Sequence, residues 1–308
     1  MPVADVAAAA GRNQVPLGVA YMVGSTVMFA GGNAVVKWQL ASYPLGEVAF
    51  GRTLFAFLTV AMIVLPRAGW GVLRTRRYRE HLQRGLSQFG SMLCWFLAVS
   101  VLSLGSATAI GFAAPLFTTL LSIVILKEKV GIHRWSALIA GFAGVLIITH
   151  PGAGTLTYGA LFALGSAVFI STVAIAIRRM SMTESTETLT LYQMSIMTLC
   201  TAGLLTLGFR APHWGDALMV ALAGFGNGIA QFWWTRSLSL APPSTVVPFN
   251  YLSLVWATIL GFAVWKDVPT PGLLVGSAIV VASGLYILWR ETLRRRPAVP
   301  APRRRSPT

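Results

Sequence analysis

The chain has 308 residues, is 55% hydrophobic and 11% charged, and carries 24 Lys plus Arg against 9 Asp plus Glu, a net charge of +15. Two soluble domains would fit that length, but apolar runs recur from end to end, each long enough as a helix to match the roughly 30 Å hydrocarbon core of a bilayer. The runs lack the alternation of barrel strands, so the expected fold class is an all-α polytopic membrane protein.

Ten spans are expected, near 15–37, 44–65, 85–104, 106–126, 136–150, 158–178, 187–208, 215–240, 243–265 and 271–289. Residues 1–14 read as a cytoplasmic segment without a small-residue cleavage site, so the first span is retained. Basic residues cluster in "RAGWGVLRTRRYREHLQR" and "RETLRRRPAVPAPRRR", each abutting a span. Such clusters set orientation and meet anionic lipid; with no soluble domain to present them, nucleic acid is excluded as a partner. With the N-terminus inside, nineteen Lys and Arg fall on inner segments, and only Arg210 and Lys266 on outer loops. Both termini are therefore expected in the cytoplasm of a bacterial-type inner membrane, with 292–308 a disordered basic tail.

The second half repeats the first. "VGSTVMFAGGNAVVKW" aligns with "LGSAVFISTVAIAIRR" at an offset of 141, which pairs Lys37 with Arg178 and Arg52 with Gln193. "QFGSMLCWFLAVSVLSL" aligns with "GFGNGIAQFWWTRSLSL" at 136, and "FAAPLFTTLLSIVILKE" with "YLSLVWATILGFAVWKD" at 139. Each unit holds five spans, an odd number, so the second copy enters the membrane inverted, the arrangement from which many secondary transporters are built.

The paired "LSLGSATAIGFAAPLFTTLLSIVILKEKVGIHRWSALIAGFAGVLII" and "LSLAPPSTVVPFNYLSLVWATILGFAVWKDVPTPGLLVGSAIVVASGLYI" resemble the two EamA domains of the drug/metabolite transporter superfamily. The resemblance implies ten helices as two inverted five-helix repeats, 15–150 and 156–291, and transport of a small organic metabolite. It leaves open export of an amino-acid-like or metallophore-type solute and uptake of a vitamin such as riboflavin. Leu254 stands where the first copy has Pro115, the expected site of a helix kink.

No ATP-binding signature is present, so transport would draw on a gradient or on exchange. Cys94 and Cys200, and His81, His133, His150 and His213, match no metal or redox spacing. No catalytic constellation lies in the spans, and no enzyme activity or cofactor is expected. A non-transporting scaffold or sensor is the alternative, with an intramembrane enzyme behind it. The expected partners are a small-molecule substrate and anionic headgroups, and a homodimer is left open.

Polar residues deep in apolar spans cost free energy unless paired or facing water. Gln88, Ser91 and Trp95 share one face of the third span, and Asn227, Gln231 and Trp234 one face of the eighth. These stripes, with Asn250 and Tyr251, are read as facing the pseudo-twofold axis and contacting substrate; helix-to-helix hydrogen bonding is the competing reading. Arg52 lies about 12 Å inside the second span, counting from Pro44. Glu47 is expected to neutralise Lys37 or Arg52 and to serve gating or proton coupling. Arg236 either attracts an anionic group or snorkels to headgroups. Gly224 and Gly228, like Ala140 and Gly144, have the spacing of close helix packing.

Overall fold

The computed structural model describes residues 3–126, 132–149, 158–180, 183–240 and 246–294, which contain helices and turns but no strand. The α-helices are α1 (Val3–Gln39), α2 (Leu45–Ala68), α3 (Tyr78–Val101), α4 (Leu104–Gly111), α5 (Ala114–Leu126) and α6 (Ile132–Thr149). They continue with α7 (Tyr158–Met180), α8 (Thr186–Leu204), α9 (Trp214–Leu240), α10 (Leu252–Trp265) and α11 (Pro271–Arg294). Because only Phe112 and Ala113 separate α4 from α5, these make ten rods among the described residues.

Among the described residues, five stretches are long and apolar enough to cross a membrane: Val15–Gln39, Leu45–Ala68, Leu104–Leu121, Tyr158–Ile177 and Thr186–Leu207. Shorter apolar stretches fill Trp135–Ile148, Phe249–Trp265 and Pro271–Tyr286. Ile139, Leu146, Leu161, Leu199 and Leu222 are exposed in mid-helix, an exterior suited to acyl chains rather than to water. The first helix starts at Val3, earlier than the 14-residue cytoplasmic lead expected. The alanine-rich "VADVAAAAGRNQ" has helix propensity enough to extend it. The basic tail beyond Arg294, and Lys127 and Glu128, lie outside the described residues.

The two halves interleave. The dominant packing partners are α1 with α9, α3 with α7, α6 with α11, α2 with α9 and α2 with α8, each joining one half to the other. The repeat carries rods one, two, three and four to six, seven, eight and nine. It therefore exchanges the α1–α9 contact with α3–α7, and α2–α9 with α3–α8, while α2–α8 and α6–α11 map onto themselves. A pseudo-twofold axis accounts for all of these pairs.

Glycine sets the closest approaches. A Cβ on Gly224 would meet the Arg52 carbonyl at 2.9 Å, and one on Gly228 the Ala56 carbonyl at 3.0 Å, so α9 lies directly against the backbone of α2. Between α6 and α11, a Cβ on Gly276 would fall 2.6 Å from the Gly144 carbonyl. Bare backbone lets such helices gain dispersion contact where lipid supplies no hydrophobic drive.

The fourth rod breaks at Phe112–Ala113, and Pro115 follows as the second residue of α5. Proline there forfeits only a first-turn N–H, which has no helical acceptor. In the second half a 3₁₀ turn, Val247–Tyr251, gives way to α10 at Leu252. At the offset of 139, that junction falls on Phe112–Ala113. The interruption thus recurs although Leu254 replaces proline, because Pro248 opens the 3₁₀ turn instead.

Candidate functional site

A buried cation, Arg52, stands on α2. It is 8% exposed, donates from Nη2 to the Asn227 Oδ1 on α9 at 3.0 Å, and lies over the Phe96 ring of α3 at 5.6 Å. Its Nε is buried without a hydrogen-bond partner. Among the described residues no carboxylate pairs with it. The expected neutralisation by Glu47 does not occur. Five residues along one helix correspond to a turn of about 140°, so the two side chains leave α2 on different faces.

Glu47 instead accepts from the Arg210 backbone N–H at 3.0 Å, which ties the start of α2 to the segment before α9. Lys37 is likewise engaged elsewhere. Its Nζ donates to the Leu102 carbonyl at 2.6 Å, stands 3.6 Å from Asp267 Oδ2, and lies 5.1 Å from the Trp265 ring centroid. The carboxylate that meets Lys37 thus follows α10 rather than opening α2.

The stripes divide on inspection. Ser91 is buried, sharing a 3.0 Å hydroxyl contact with Ser166 and donating to its carbonyl at 3.1 Å, so it joins α3 to α7 rather than facing an axis. Trp234 packs against the Met22–Val246 cluster beside α1. The face of a helix that meets its densest neighbour is its interior face, and for α3 and α9 those neighbours are α7 and α1. Gln88, Trp95, Asn227, Gln231 and Asn250 are half-buried. Among the described residues the side-chain amides of Gln88 and Gln231 make no hydrogen bond, and the Trp95 indole N–H is buried without an acceptor. Arg236 is exposed near the end of α9.

On the axis stand Phe112 and Tyr251, with ring centroids 4.7 Å apart. Beside Tyr251, a hollow of about 610 Å³ opens between α10 and α11, with Phe249, Leu252, Leu273, Ser277 and Val281 in its wall. A second, of about 210 Å³, lies between α2 and α9 beneath Tyr43 and Glu47.

Two polar latches close opposite ends of α2. At the start of α2, Tyr43 Oη donates to Asp216 Oδ2 at 2.5 Å and Arg210 Nη1 to the Ser42 carbonyl at 3.2 Å. Beyond its other end, Thr75 Oγ1 donates to Glu184 Oε1 at 2.6 Å and Arg77 Nη1 to Thr183 Oγ1 at 2.8 Å. Ser42 and Thr183, like Tyr43 and Glu184, are 141 positions apart, and Glu80 and Asp216 are 136 apart. The latches share repeat positions on one side only: the image of Arg210 is Arg74, where Arg77 acts instead, and the image of Asp216 is Glu80, which pairs with Arg77. The Glu80–Asp216 match was visible in the offset, although Asp216, Glu184 and Asp267 had drawn no role from sequence.

The second latch also buries charge. Arg84, 4% exposed, donates to the Leu189 carbonyl at 2.6 Å and to the Gln193 Oε1. His81, 1% exposed, stacks on Tyr192 at 4.4 Å, and its Nε2 lies 3.8 Å from Glu184, too far for a hydrogen bond. Burial holds the imidazole below its usual range, outweighing the pull of Glu184.

A helical bundle of two halves exchanged by a pseudo-twofold, with polar latches at both ends of α2, defines a multi-pass membrane protein of the internally duplicated carrier class. The profile of the EamA-like transporter family matches residues 16–150 and 157–289, and the chain belongs to that family. It is 28% identical over 283 residues to a riboflavin transporter of Rhizobium johnstonii, covering 91% of this chain and 93% of the relative. It is 24% identical over 275 residues to an S-adenosylmethionine uptake transporter of Rickettsia bellii, covering 89% and 94%. A pseudopaline exporter, CntI, of Pseudomonas aeruginosa is 26% identical over 271 residues, covering 86% and 94%.

Proposed function

We propose that the chain is a secondary transporter that moves a small organic metabolite by alternating access, driven by a gradient or by exchange. The observation that carries this reading is the pair of latches. Ser42–Arg210 with Tyr43–Asp216 closes one end of α2, and Thr183–Arg77 with Glu184–Thr75 closes the other. Repeat-equivalent halves that hold both ends can release one while keeping the other, which is the requirement for carrying a solute without opening a pore.

In this reading ten helices span a bacterial-type inner membrane as repeats 15–150 and 156–291, with both termini in the cytoplasm. The basic loops and tail face anionic headgroups. The latch of Thr75 and Glu184 is then the inner one, and that of Tyr43 and Asp216 the outer. Substrate contact falls to the half-buried Gln88, Trp95, Asn227, Gln231, Asn250 and Tyr251, whereas Ser91 and Trp234 serve packing. The relatives' substrates, a flavin, a nucleoside-bearing amino acid and a metallophore, are organic solutes of the size class expected.

Purified protein in proteoliposomes, assayed for counterflow of riboflavin, S-adenosylmethionine and amino acids in both directions, tests the reading. Saturable counterflow of one of these supports it. Leak that does not saturate, or no flux across the panel, removes it.

A further inference from the structure

Among the described residues, Arg52 has no carboxylate for a partner. A guanidinium about 10 Å along α2 from Leu45 is more than nine-tenths buried. Its polar contact is the neutral amide oxygen of Asn227, and one of its donors, Nε, meets nothing. The Phe96 face below it stabilises a cation only in part. A buried charge left without a counter-charge costs several kcal/mol. Lys37 and Arg84 each meet more oxygen atoms. Lys37 has the Leu102 carbonyl and Asp267, and Arg84, whose Nε is also without a partner, has the Leu189 carbonyl, the Gln193 oxygen and the Glu184–His81 pair nearby.

Asn227 completes the arrangement. Its Oδ1 is held by Arg52, which turns its Nδ2 donor away from the guanidinium, and that donor makes no hydrogen bond among the described residues. Arg52 Nε and Asn227 Nδ2 are therefore two unspent donors on facing helices, next to a permanent positive charge. Planar guanidinium beside an amide N–H is the donor set that carboxylates and phosphates take. Gly224 and Gly228 bring α9 against α2 at this level, so the backbones that carry the two side chains abut.

We infer that Arg52 and Asn227 form the anion subsite of the transported solute, so that the substrate carries a carboxylate or a phosphate that becomes the counter-charge of Arg52 when it is bound. This rests on the transport reading and narrows it to acidic metabolites. A solute loaded at this point neutralises the buried cation, so the loaded carrier is less strained than the empty one, and binding energy is available to favour the conformational exchange.

The test compares counterflow of matched pairs at fixed lipid composition: riboflavin 5′-phosphate against riboflavin, and S-adenosylmethionine against its carboxamide. Fixed lipid assigns any difference to the solute rather than to headgroups. The wild type should favour the anionic member of the transported pair at least tenfold. Arg52→Gln should erase the preference and Arg52→Lys should keep part of it. Asn227→Asp, which supplies an internal carboxylate opposite Arg52, should fold with a raised melting temperature and lose the preference as well. It serves where Arg52→Gln does not fold. Equal counterflow of both members by the wild type overturns the subsite and leaves transport standing. A preference that survives in Asn227→Asp or Arg52→Gln also overturns it. Absence of any flux in the wild type removes the transport reading, and this inference falls with it.

Discussion

Phe112 and Tyr251 face each other with ring centroids 4.7 Å apart, and they are the same position of the repeat, 139 residues apart. The pseudo-twofold axis runs between these two rings, at the break that each half places in its fourth rod. The Tyr251 hydroxyl fills the space that a Cβ on Gly284 would occupy. Gly284→Ala is therefore expected to destabilise the protein by about 1–3 kcal/mol, and Tyr251→Phe to recover most of that loss. Thermal melts of the two single variants and the double variant in detergent check the coupling; additive losses would contradict the contact.

A second prediction concerns the partner of Lys37. A double-mutant cycle between Lys37→Met and Asp267→Asn should give a coupling of about 1 kcal/mol, the magnitude of a partly exposed pair. The same cycle between Lys37 and Glu47 should give a value near zero. A sizeable Lys37–Glu47 coupling would contradict the geometry.

These pairings mark where sequence reasoning stopped. The duplication, the rod count and the offsets were legible because they need only hydrophobic run lengths and linear register. The depth of Arg52 was legible for the same reason. Which carboxylate meets Lys37 was not, since Glu47 and Asp267 are both acidic residues at a rod end, and only the packing of α1 between α3 and α10 separates them. One member of the stripe on α3, Ser91, shows the same limit. A helix face seen in sequence has no label for its neighbour, and Ser91 meets α7 where the axis was expected.

The third prediction follows from that correction. Ser91→Ala removes a hydroxyl pair between α3 and α7 and should cost about 0.6 kcal/mol, the average for interhelical hydrogen bonds in a membrane, while leaving transport kinetics unchanged. A loss of substrate affinity at normal expression would return Ser91 to the site.

The fourth concerns acid. The His81 imidazole is held below its usual range by burial, so at low pH the unfolded chain takes up a proton that the folded latch resists. Its stabilising contribution is complete above the usual histidine value of about 6.5 and is lost as pH falls through the lowered folded value. Glu184, Glu80, Arg84, Tyr78 and Tyr192 are the charged and titratable groups around it. Melting temperature should therefore drop on acidification below about 6.5, and His81→Phe should flatten that drop. An unchanged pH profile in the variant would assign the acid sensitivity elsewhere.

The most direct test of alternating access is to lock each latch in turn. With Cys94 and Cys200 replaced, one variant carries Ser42→Cys with Arg210→Cys, and another Thr75→Cys with Glu184→Cys. Each pair is bridged by a short cleavable dithiol reagent in proteoliposomes, and counterflow is measured before bridging, after it, and after reduction. The account predicts that either bridge alone halts flux and that reduction restores it, because every cycle must open both ends. Undiminished flux through a protein bridged at either end would contradict it.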